Sequence, residues 1–294
     1  MSKFLIKKPL FKVFLKFRIH PLFWVVAAVA VMTAHFTELL MLLGIIIIHE
    51  MGHGVCAQFF SWRIKRIRIL PFGGVAEMEE YGNRPLKEEL AVTLAGPLQH
   101  IWMTAVMYAL YMNEWVPEDV FFMFMEFNIM ILLFNLLPVL PLDGGKLLLM
   151  GLSLLHPYSK AFQQTILFSV IVLLSLHLFS LFIFPMQLNL WIVLCYLYFS
   201  LWMEWKQRQF ILMRFLLERH YGKKPNFMRL SPLNVNAEDS LSEVLSRFKR
   251  GVKHPIIVIE GSAEIGSLDE NELLHAYFTE KMVTAKVKDI LELY

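Results

Sequence analysis

Long apolar runs without charged residues constrain this chain more than any other feature of its sequence. Residues 21–37, 90–113 and 161–203 contain no Asp, Glu, Lys or Arg. About 20 apolar residues cross a bilayer as a helix. The chain is 57% hydrophobic and 18% charged, against about 45–50% and about 25% in soluble domains. We therefore expect lipid to surround much of the chain, which excludes a soluble enzyme and a disordered protein.

The apolar runs predict about six transmembrane helices in a domain over residues 21–205. Two further spans, residues 39–62 and 120–142, each contain one Glu and no Asp, Lys or Arg, and the first of them also contains two His. The run over residues 161–203 is too long for one crossing, and Pro185 near its middle predicts a turn between two spans. The fold class is therefore a multi-pass α-helical membrane protein.

Lys and Arg residues predict the orientation of these spans. Residues 1–20 form a basic segment, and further Lys and Arg follow the second and sixth spans. Such residues concentrate on the cytoplasmic side of a membrane. We expect both termini in the cytosol and residues 1–20 as a retained cytosolic flank, since no small-residue cleavage site follows them.

The composition becomes that of a soluble domain near residue 230, after a predicted linker over residues 206–229. Leu241, Val244 and Leu245 have helical spacing, and the β-branched run over residues 256–259 predicts a buried strand. A second strand over residues 265–268 and a helix capped by Asp269 complete a small β-α-β-β-α module over residues 230–294.

The second span contains the sequence HEMGH at residues 49–53. His49 and His53 lie one helical turn apart, so one face offers two imidazoles to one metal ion. Glu50 is placed to act on an attacking water as a general base. A five-residue pattern also arises by chance. However, one charge at mid-bilayer costs about 2.5–3.5 kcal/mol, which favours a functional metal site.

Asp143 is the best candidate for a third metal ligand. Pro138 and Pro141 break the helix before it, and Gly144 and Gly145 follow it. Irregular backbone at membrane depth occurs where it is buried in protein or lines a wet cavity. Taken alone, Asp143 is better explained as a helix cap at the cytosolic interface. Beside the HEMGH motif, metal ligation becomes the preferred interpretation.

Residues 62–74 allow two interpretations. The sequence WRIKRIRIL alternates isoleucine with basic residues, which predicts an edge strand able to pair with a substrate backbone. A solvated basic loop that sets topology is an equal alternative. His100 in the third span is interpreted as a packing histidine, with a role behind the metal ligands as the alternative.

The motifs at residues 49–53 and 135–145 (HEMGH and NLLPVLPLDGG) together resemble those of the site-2 intramembrane metalloproteases. Their order, separation and four-span setting match that family over residues 20–150. The resemblance implies an intramembrane zinc metalloendopeptidase.

Site residues follow from this resemblance, position by position. It implies that zinc is bound by His49, His53 and Asp143. It implies that Glu50 activates water and that Asn135 positions the substrate carbonyl.

The chain also contains PFGG at 71–74, NRPLKEE at 83–89, AGPLQH at 95–100 and RFLLER at 214–219. These stretches are similar to those of the sporulation branch of this family, and the similarity covers nearly the whole chain. Residues 230–294 resemble one cystathionine-β-synthase-type repeat. The branch implies a pro-sigma factor substrate, membrane-bound inhibitory partner proteins, and the membrane around the forespore, with the termini on the mother-cell side. The repeat implies an adenine nucleotide such as ATP. However, Asp269 and Glu272 stand at the positions that would face its ribose and phosphates, so substrate docking or homo-oligomer formation is the alternative.

A membrane transporter or channel with a cytosolic regulatory domain is the alternative function, because spans with buried polar residues suit both classes. The net charge of +3 predicts no direct nucleic-acid partner. The HEMGH motif favours the protease.

Overall fold

The computed structural model describes residues 17–19, 21–62, 64–70, 73–78, 84–183, 187–221, 229–261 and 263–293. The chain divides into two compact units. The first comprises residues 1–80, 87–137 and 142–144, and the second comprises residues 81–86, 138–141 and 145–294.

Apolar helices build the first unit. They are α1 (Pro21–Met32), α2 (Phe36–Phe59), α3 (Leu86–Met112) and α4 (Glu118–Asn135). Buried side chains from α2, α3 and α4 pack into one cluster, formed by Ile45, Ile46, Met103, Phe124 and Ile131. This cluster lies on the N-terminal side of the HEMGH motif, so the same helix packing that buries these side chains also holds the motif.

A three-stranded sheet accompanies these helices. Its strands are β1 (Phe17–Ile19), β2 (Ile64–Leu70) and β3 (Gly73–Met78), in the order β1-β2-β3. β1 runs parallel to β2, and β3 runs antiparallel to it. The predicted strand therefore exists, but its predicted edge position is wrong, because β1 and β3 pair with both of its edges.

The helix before Asp143 ends where the prolines predict. α4 ends at Asn135, and the irregular residues 136–142 include a cis peptide bond between Leu140 and Pro141. α5 (Asp143–Leu155) then begins at the aspartate.

The second unit continues with α6 (Tyr158–Ile183), α7 (Leu188–Lys206) and α8 (Arg208–Tyr221). Among the described residues, α2, α3 and α6 are long and apolar enough to cross a membrane. Each of the six predicted spans contains a helix, although α1 has 12 residues, α4 has 18 and α7 has 19. The predicted turn at Pro185 lies outside the described residues.

The C-terminal residues form the predicted β-α-β-β-α module. Its strands are β4 (Arg229–Leu230), β5 (Leu233–Asn236), β6 (Val252–Lys253), β7 (Ile256–Glu260) and β8 (Ala263–Leu268). The main sheet has the order β5-β7-β8, with β5 parallel and β8 antiparallel to β7. The helices are α9 (Leu241–Ser246), α10 (Glu270–Phe278) and α11 (Val287–Leu291).

α8 packs into the core of this module, although residues 206–229 were predicted to be a linker. Phe215 and Leu216 are almost fully buried in the same cluster as Leu241, Val244 and Ile256. Apolar residues on one face of α8 explain this packing, since a helix with such a face gains stability by burying it.

Candidate metal centre

α2 brings His49 and His53 together on one face. The two Nε2 atoms lie 3.1 Å apart, because residues four apart are neighbours on a helix. Both side chains are buried. The predicted pair of imidazoles therefore exists in the folded chain.

Asp143 completes a triangle with these histidines. As the first residue of α5, it places its Oδ2 atom 3.2 Å from His49 Nε2 and 3.0 Å from His53 Nε2. The irregular segment after α4 returns the chain to α2, so the aspartate meets the histidines from a different helix. The structure thus brings the three predicted ligands together.

The donor set fits a zinc ion. Zinc–nitrogen and zinc–oxygen bonds of about 2.0–2.2 Å in a tetrahedron separate neighbouring ligand atoms by about 3.3–3.5 Å. The three distances of 3.0–3.2 Å approach that spacing. Asp143 and Glu50 are each 3% exposed. Two buried carboxylates need compensating positive charge, which a divalent cation supplies.

Glu50 lies beside the triangle. One carboxylate oxygen of Glu50 and one ring nitrogen from each of His49 and His53 all lie within 4.8 Å of one another. A Cβ atom added to Gly74 of β3 would lie 2.2–2.5 Å from three atoms of the Glu50 side chain. The backbone of β3 therefore passes directly against the candidate general base.

The second ring nitrogen of each histidine also has a partner. His53 Nδ1 lies 2.7 Å from the backbone carbonyl of Val92 in α3, and His49 Nδ1 lies 3.0 Å from His100 Nε2. A carbonyl oxygen only accepts, so His53 carries its proton on Nδ1 and directs its Nε2 lone pair toward His49 and Asp143. Val92 acts through its backbone, so the sequence carries no signal for it.

Gly96 of α3 also packs against the histidines. A Cβ atom at this position would lie 2.1 Å from His53 Nε2 and 2.8 Å from His49 Cε1. Neither Gly96 nor Gly74 was predicted to have a role in the site. A Gly in a predicted span is a weak signal, because it also serves ordinary helix packing.

Asn135 is half-buried at the end of α4. Its Nδ2 donates a hydrogen bond to the Ile131 carbonyl at 3.0 Å, within its own helix. This contact does not test the predicted role toward a substrate carbonyl.

Asp269 and Glu272 form a capping box at the start of α10. An Asp269 carboxylate oxygen accepts from the Asn271 backbone N–H at 2.9 Å, and Glu272 Oε2 accepts from the Asp269 N–H at 2.7 Å. Lys253 also pairs with Asp269. These contacts give both acids a structural role that requires no nucleotide.

The residues of this site lie within a region that matches a known protein family. The sequence profile of Peptidase family M50 matches residues 37–116 and 111–178. The matched region contains the HEMGH motif and Asp143.

Individual relatives extend the similarity along the chain. Stage IV sporulation protein FB of Bacillus subtilis is 47% identical over 94% of this chain and 96% of its own. A zinc metalloprotease of Methanocaldococcus jannaschii is 26% identical over 84% of this chain and 73% of its own. The solved structure of a site-2 protease from the same archaeon matches with a TM-score of 0.52 and 27% identity, over 64% of this chain and 89% of that structure.

Proposed function

The chain belongs to the M50 (site-2 protease) family and is an intramembrane zinc metalloprotease, and within that activity we propose that His49, His53 and Asp143 hold the zinc ion while Glu50 is the general base. The observation that carries this proposal is the buried triangle of Nε2, Nε2 and Oδ2 atoms, 3.0–3.2 Å apart. Its donors match the ligand types and spacing of a catalytic zinc site.

In peptide hydrolysis, Glu50 acts first as a general base and then as a general acid. A zinc ion held by His49, His53 and Asp143 would supply a Lewis acid that polarises the scissile carbonyl and makes the attacking water more acidic. Glu50 takes a proton from the attacking water as the new C–O bond forms. It then delivers that proton to the leaving amine as the C–N bond breaks. Burial of Glu50 keeps this proton transfer apart from bulk water.

Two variants test these assignments separately. Glu50→Gln keeps the size of the side chain and removes the base, so we expect zinc to stay bound while proteolysis is lost. His49→Ala removes a ligand, so we expect both zinc and activity to be lost. Zinc content of the purified chain and cleavage of a co-expressed substrate are the two measurements. Cleavage by Glu50→Gln at the wild-type rate would overturn the assignment of the base.

The backbone of β3 is the proposed docking site for an extended substrate. Among the described residues, β3 pairs on one side only, with β2. Its Gly74 contacts Glu50, so a peptide added along the free edge of β3 would run beside the general base. Strand addition also exposes peptide bonds that a substrate helix hides.

Proline substitutions at adjacent positions of β3 test this docking. N–H groups of successive residues in a strand point to opposite edges, so one of Val75 and Ala76 faces β2 and the other faces the free edge. We expect Pro at the free-edge position to reduce cleavage while zinc stays bound. Full cleavage by both Val75→Pro and Ala76→Pro would exclude strand addition at β3.

The proposed substrate is a membrane-associated pro-sigma factor, with membrane-bound inhibitory proteins as partners in the membrane around the forespore. Similarity over 94% of the chain to a stage IV sporulation protein supports this assignment. Co-expression with candidate membrane-tethered precursors tests it, with Glu50→Gln as the uncleaving control. Cleavage of unrelated membrane proteins but of no sigma-factor precursor would contradict the substrate class.

We also propose that six helices cross the membrane, with both termini in the cytosol. The distribution of Lys and Arg supports this topology, and α2, α3 and α6 supply three spans of sufficient length.

For residues 230–294 we propose a cystathionine-β-synthase-like domain. The strand order β5-β7-β8 and the β-α-β-β-α succession support it. Adenine nucleotide binding remains a prediction, and the use of Asp269 and Glu272 as helix caps favours substrate docking or homo-oligomer formation instead. Titration of the full chain with ATP separates these roles, since saturable binding would favour the nucleotide.

A further inference from the structure

His100 is a buried polar residue in the membrane unit that the proposed reaction does not use. It lies in the middle of α3 and is 1% exposed. Its Nε2 atom lies 3.0 Å from His49 Nδ1, and its Nδ1 atom lies 2.7 Å from Asn128 Oδ1 in α4. Asn128 is also 1% exposed. A continuous chain of side chains therefore leads from α4 through α3 to the metal ligand on α2.

The hydrogen-bond directions along this chain are fixed by a backbone carbonyl. Asn128 Nδ2 lies 3.2 Å from the His100 carbonyl oxygen, which only accepts, so this end of the amide is the NH₂ group. Asn128 Oδ1 is then the acceptor for His100 Nδ1–H. His100 Nε2 is left with a lone pair, which accepts from His49 Nδ1–H. The His49 Nε2 lone pair is therefore directed toward His53 and Asp143, at the proposed metal position.

We propose that His100 and Asn128 are positioning residues, which hold the ring of His49 in the orientation and tautomer that bind zinc. This inference rests on the proposed metal site and extends it to residues that do not touch the metal. His53 is held in the same way by a backbone carbonyl, that of Val92. The hydrogen-bonded chain from Asn128 through His100 to His49 (the relay) is made of side chains, so it can be altered by substitution.

The relay also ties metal binding to the packing of three helices. His49, His100 and Asn128 come from α2, α3 and α4, which share the apolar cluster of Ile45, Met103 and Phe124. A purely structural role would require only that these polar groups be satisfied and the space be filled. A positioning role requires hydrogen-bond acceptors at two places, which are His100 Nε2 facing His49 and Asn128 Oδ1 facing His100.

Matched substitutions separate these roles. His100→Leu and Asn128→Leu remove the acceptors, whereas His100→Gln and Asn128→Asp retain an acceptor oxygen. Thr104→Val is the control in the same layer, because Thr104 Oγ1 contacts Asn128 Nδ2 at 2.9 Å and is not part of the chain to His49. Zinc affinity of the purified full chain is measured by chelator competition. The visible spectrum of the cobalt-loaded chain reports the ligand geometry, and circular dichroism and gel filtration report folding.

We expect both Leu variants to bind zinc about 10–100-fold more weakly and to show an altered cobalt spectrum. We expect His100→Gln, Asn128→Asp and Thr104→Val to stay close to wild type. If folded Leu variants keep wild-type affinity and spectrum while His49→Ala loses zinc, the relay is wrong and the metal site stands. If Gln and Asp variants lose zinc as the Leu variants do, the acceptors are not what matters, which also overturns the relay. Wild-type zinc binding by His49→Ala would remove the metal site and the relay together.

Discussion

At the scale of single residues, two glycines determine how closely the backbone approaches the candidate site. Gly96 of α3 faces the His53 ring, and Gly74 of β3 faces the Glu50 carboxylate. A methyl group at either position would lie well below van der Waals distance from a functional atom. The absence of a side chain is therefore the chemical contribution of these two residues.

Gly96→Ala should impair zinc binding, because the new Cβ would lie 2.1 Å from His53 Nε2, the atom proposed to bind the metal. The ring must then shift from the position in which its Nε2 lies 3.0 Å from Asp143 Oδ2. Chelator competition on the purified chain should show a loss of affinity of about 10-fold or more, comparable with the loss of a partner behind a metal ligand.

Gly44→Ala is the matched control for this substitution. Gly44 also lies in a membrane helix, α2, and an added Cβ there meets nothing within 4 Å. Alanine is intrinsically favoured over glycine in helices, so zinc affinity and stability should not fall. Equal effects of the two substitutions would contradict the steric explanation.

His254 in the C-terminal domain is held as a neutral imidazole. Its Nε2 accepts from the Lys249 backbone N–H at 3.0 Å, and its Nδ1–H donates to the Ser231 carbonyl at 2.8 Å. Burial lowers the pKa of His254 most strongly, and the positive charges of Arg219 and Lys249 lower it further. The hydrogen bond to Ser231 and the negative charge of Glu270 act in the opposite direction and raise this pKa. The folded domain therefore takes up this proton at lower pH than the unfolded chain does.

We expect the free energy of unfolding of this domain to decrease as the pH falls below about 6.5, the pKa of an unfolded histidine. The unfolded state then binds more protons than the folded state, and each such histidine contributes a slope of at most about 1.36 kcal/mol per pH unit. Above that pH the contribution is fully retained. Pulse proteolysis of the full chain between about pH 7.5 and about pH 5.5 measures it.

His254→Gln should reduce this pH dependence, because the Gln amide offers a donor and an acceptor that do not titrate. Part of the slope should remain, since burial and the nearby His275 also lower the pKa of His220. An unchanged slope in His254→Gln would show that another group is responsible.

At the scale of elements, a buried ion pair joins α8 to α10. The Arg219 guanidinium forms two hydrogen bonds with the Glu270 carboxylate, one of them 2.7 Å long from Arg219 to Oε2. Arg219 also donates to the carbonyls of Lys249 and Val252. Both charged side chains are almost fully buried, so the pair fixes how α8 packs on the domain.

Arg219→Leu should destabilise the C-terminal domain by about 3–5 kcal/mol, because it leaves the Glu270 carboxylate buried without its partner. The double variant Arg219→Leu, Glu270→Leu should be less destabilised than the single one. Denaturant unfolding of the full chain measures the stability of both variants, with proteolysis within residues 206–294 reporting the unfolding of this domain.

Glu238→Gln is the control for loss of an ion pair. Glu238 forms ion pairs with Lys286 and Lys288 at an exposed site, where ion pairs contribute little to the free energy of unfolding. A large effect there, or a negligible one in Arg219→Leu, would contradict the importance of burial.

At the scale of the whole molecule, the chain combines a membrane protease unit with a folded C-terminal domain. The predicted topology places residue 113, after the third span, outside the cytosol and residue 242 inside it. Both residues are exposed, which makes them suitable for labelling.

Asn113→Cys should react with a membrane-impermeant thiol reagent in intact spheroplasts, and Ser242→Cys should react only after permeabilisation. Both substitutions are made in a chain whose Cys56 and Cys195 are replaced by Ala, because these are the two cysteines of the sequence. Labelling of Ser242→Cys in intact cells would reverse the predicted orientation.

Several elements of this protein could be predicted from local sequence patterns. Helical spacing gives the His49–His53 pair, prolines end α4 near Asn135, and alternation of Ile with basic residues gives β2. Each of these depends on neighbours in sequence, where the period of the backbone determines which side chains share a face.

The sequence by itself therefore determined the membrane class, the positions of the apolar helices and the imidazole pair, because hydropathy and helical period act over short stretches. The sequence also indicated Asp143 as the third ligand, and the tertiary structure decided how closely it approaches the pair. Only the tertiary structure decided that Gly96 and Gly74 pack against the site and that His100 and Asn128 lie behind His49. It also placed β2 in the centre of its sheet and α8 in the core of the C-terminal domain. These contacts join residues far apart in the chain, and their geometry depends on how helices and strands pack, which no local pattern encodes.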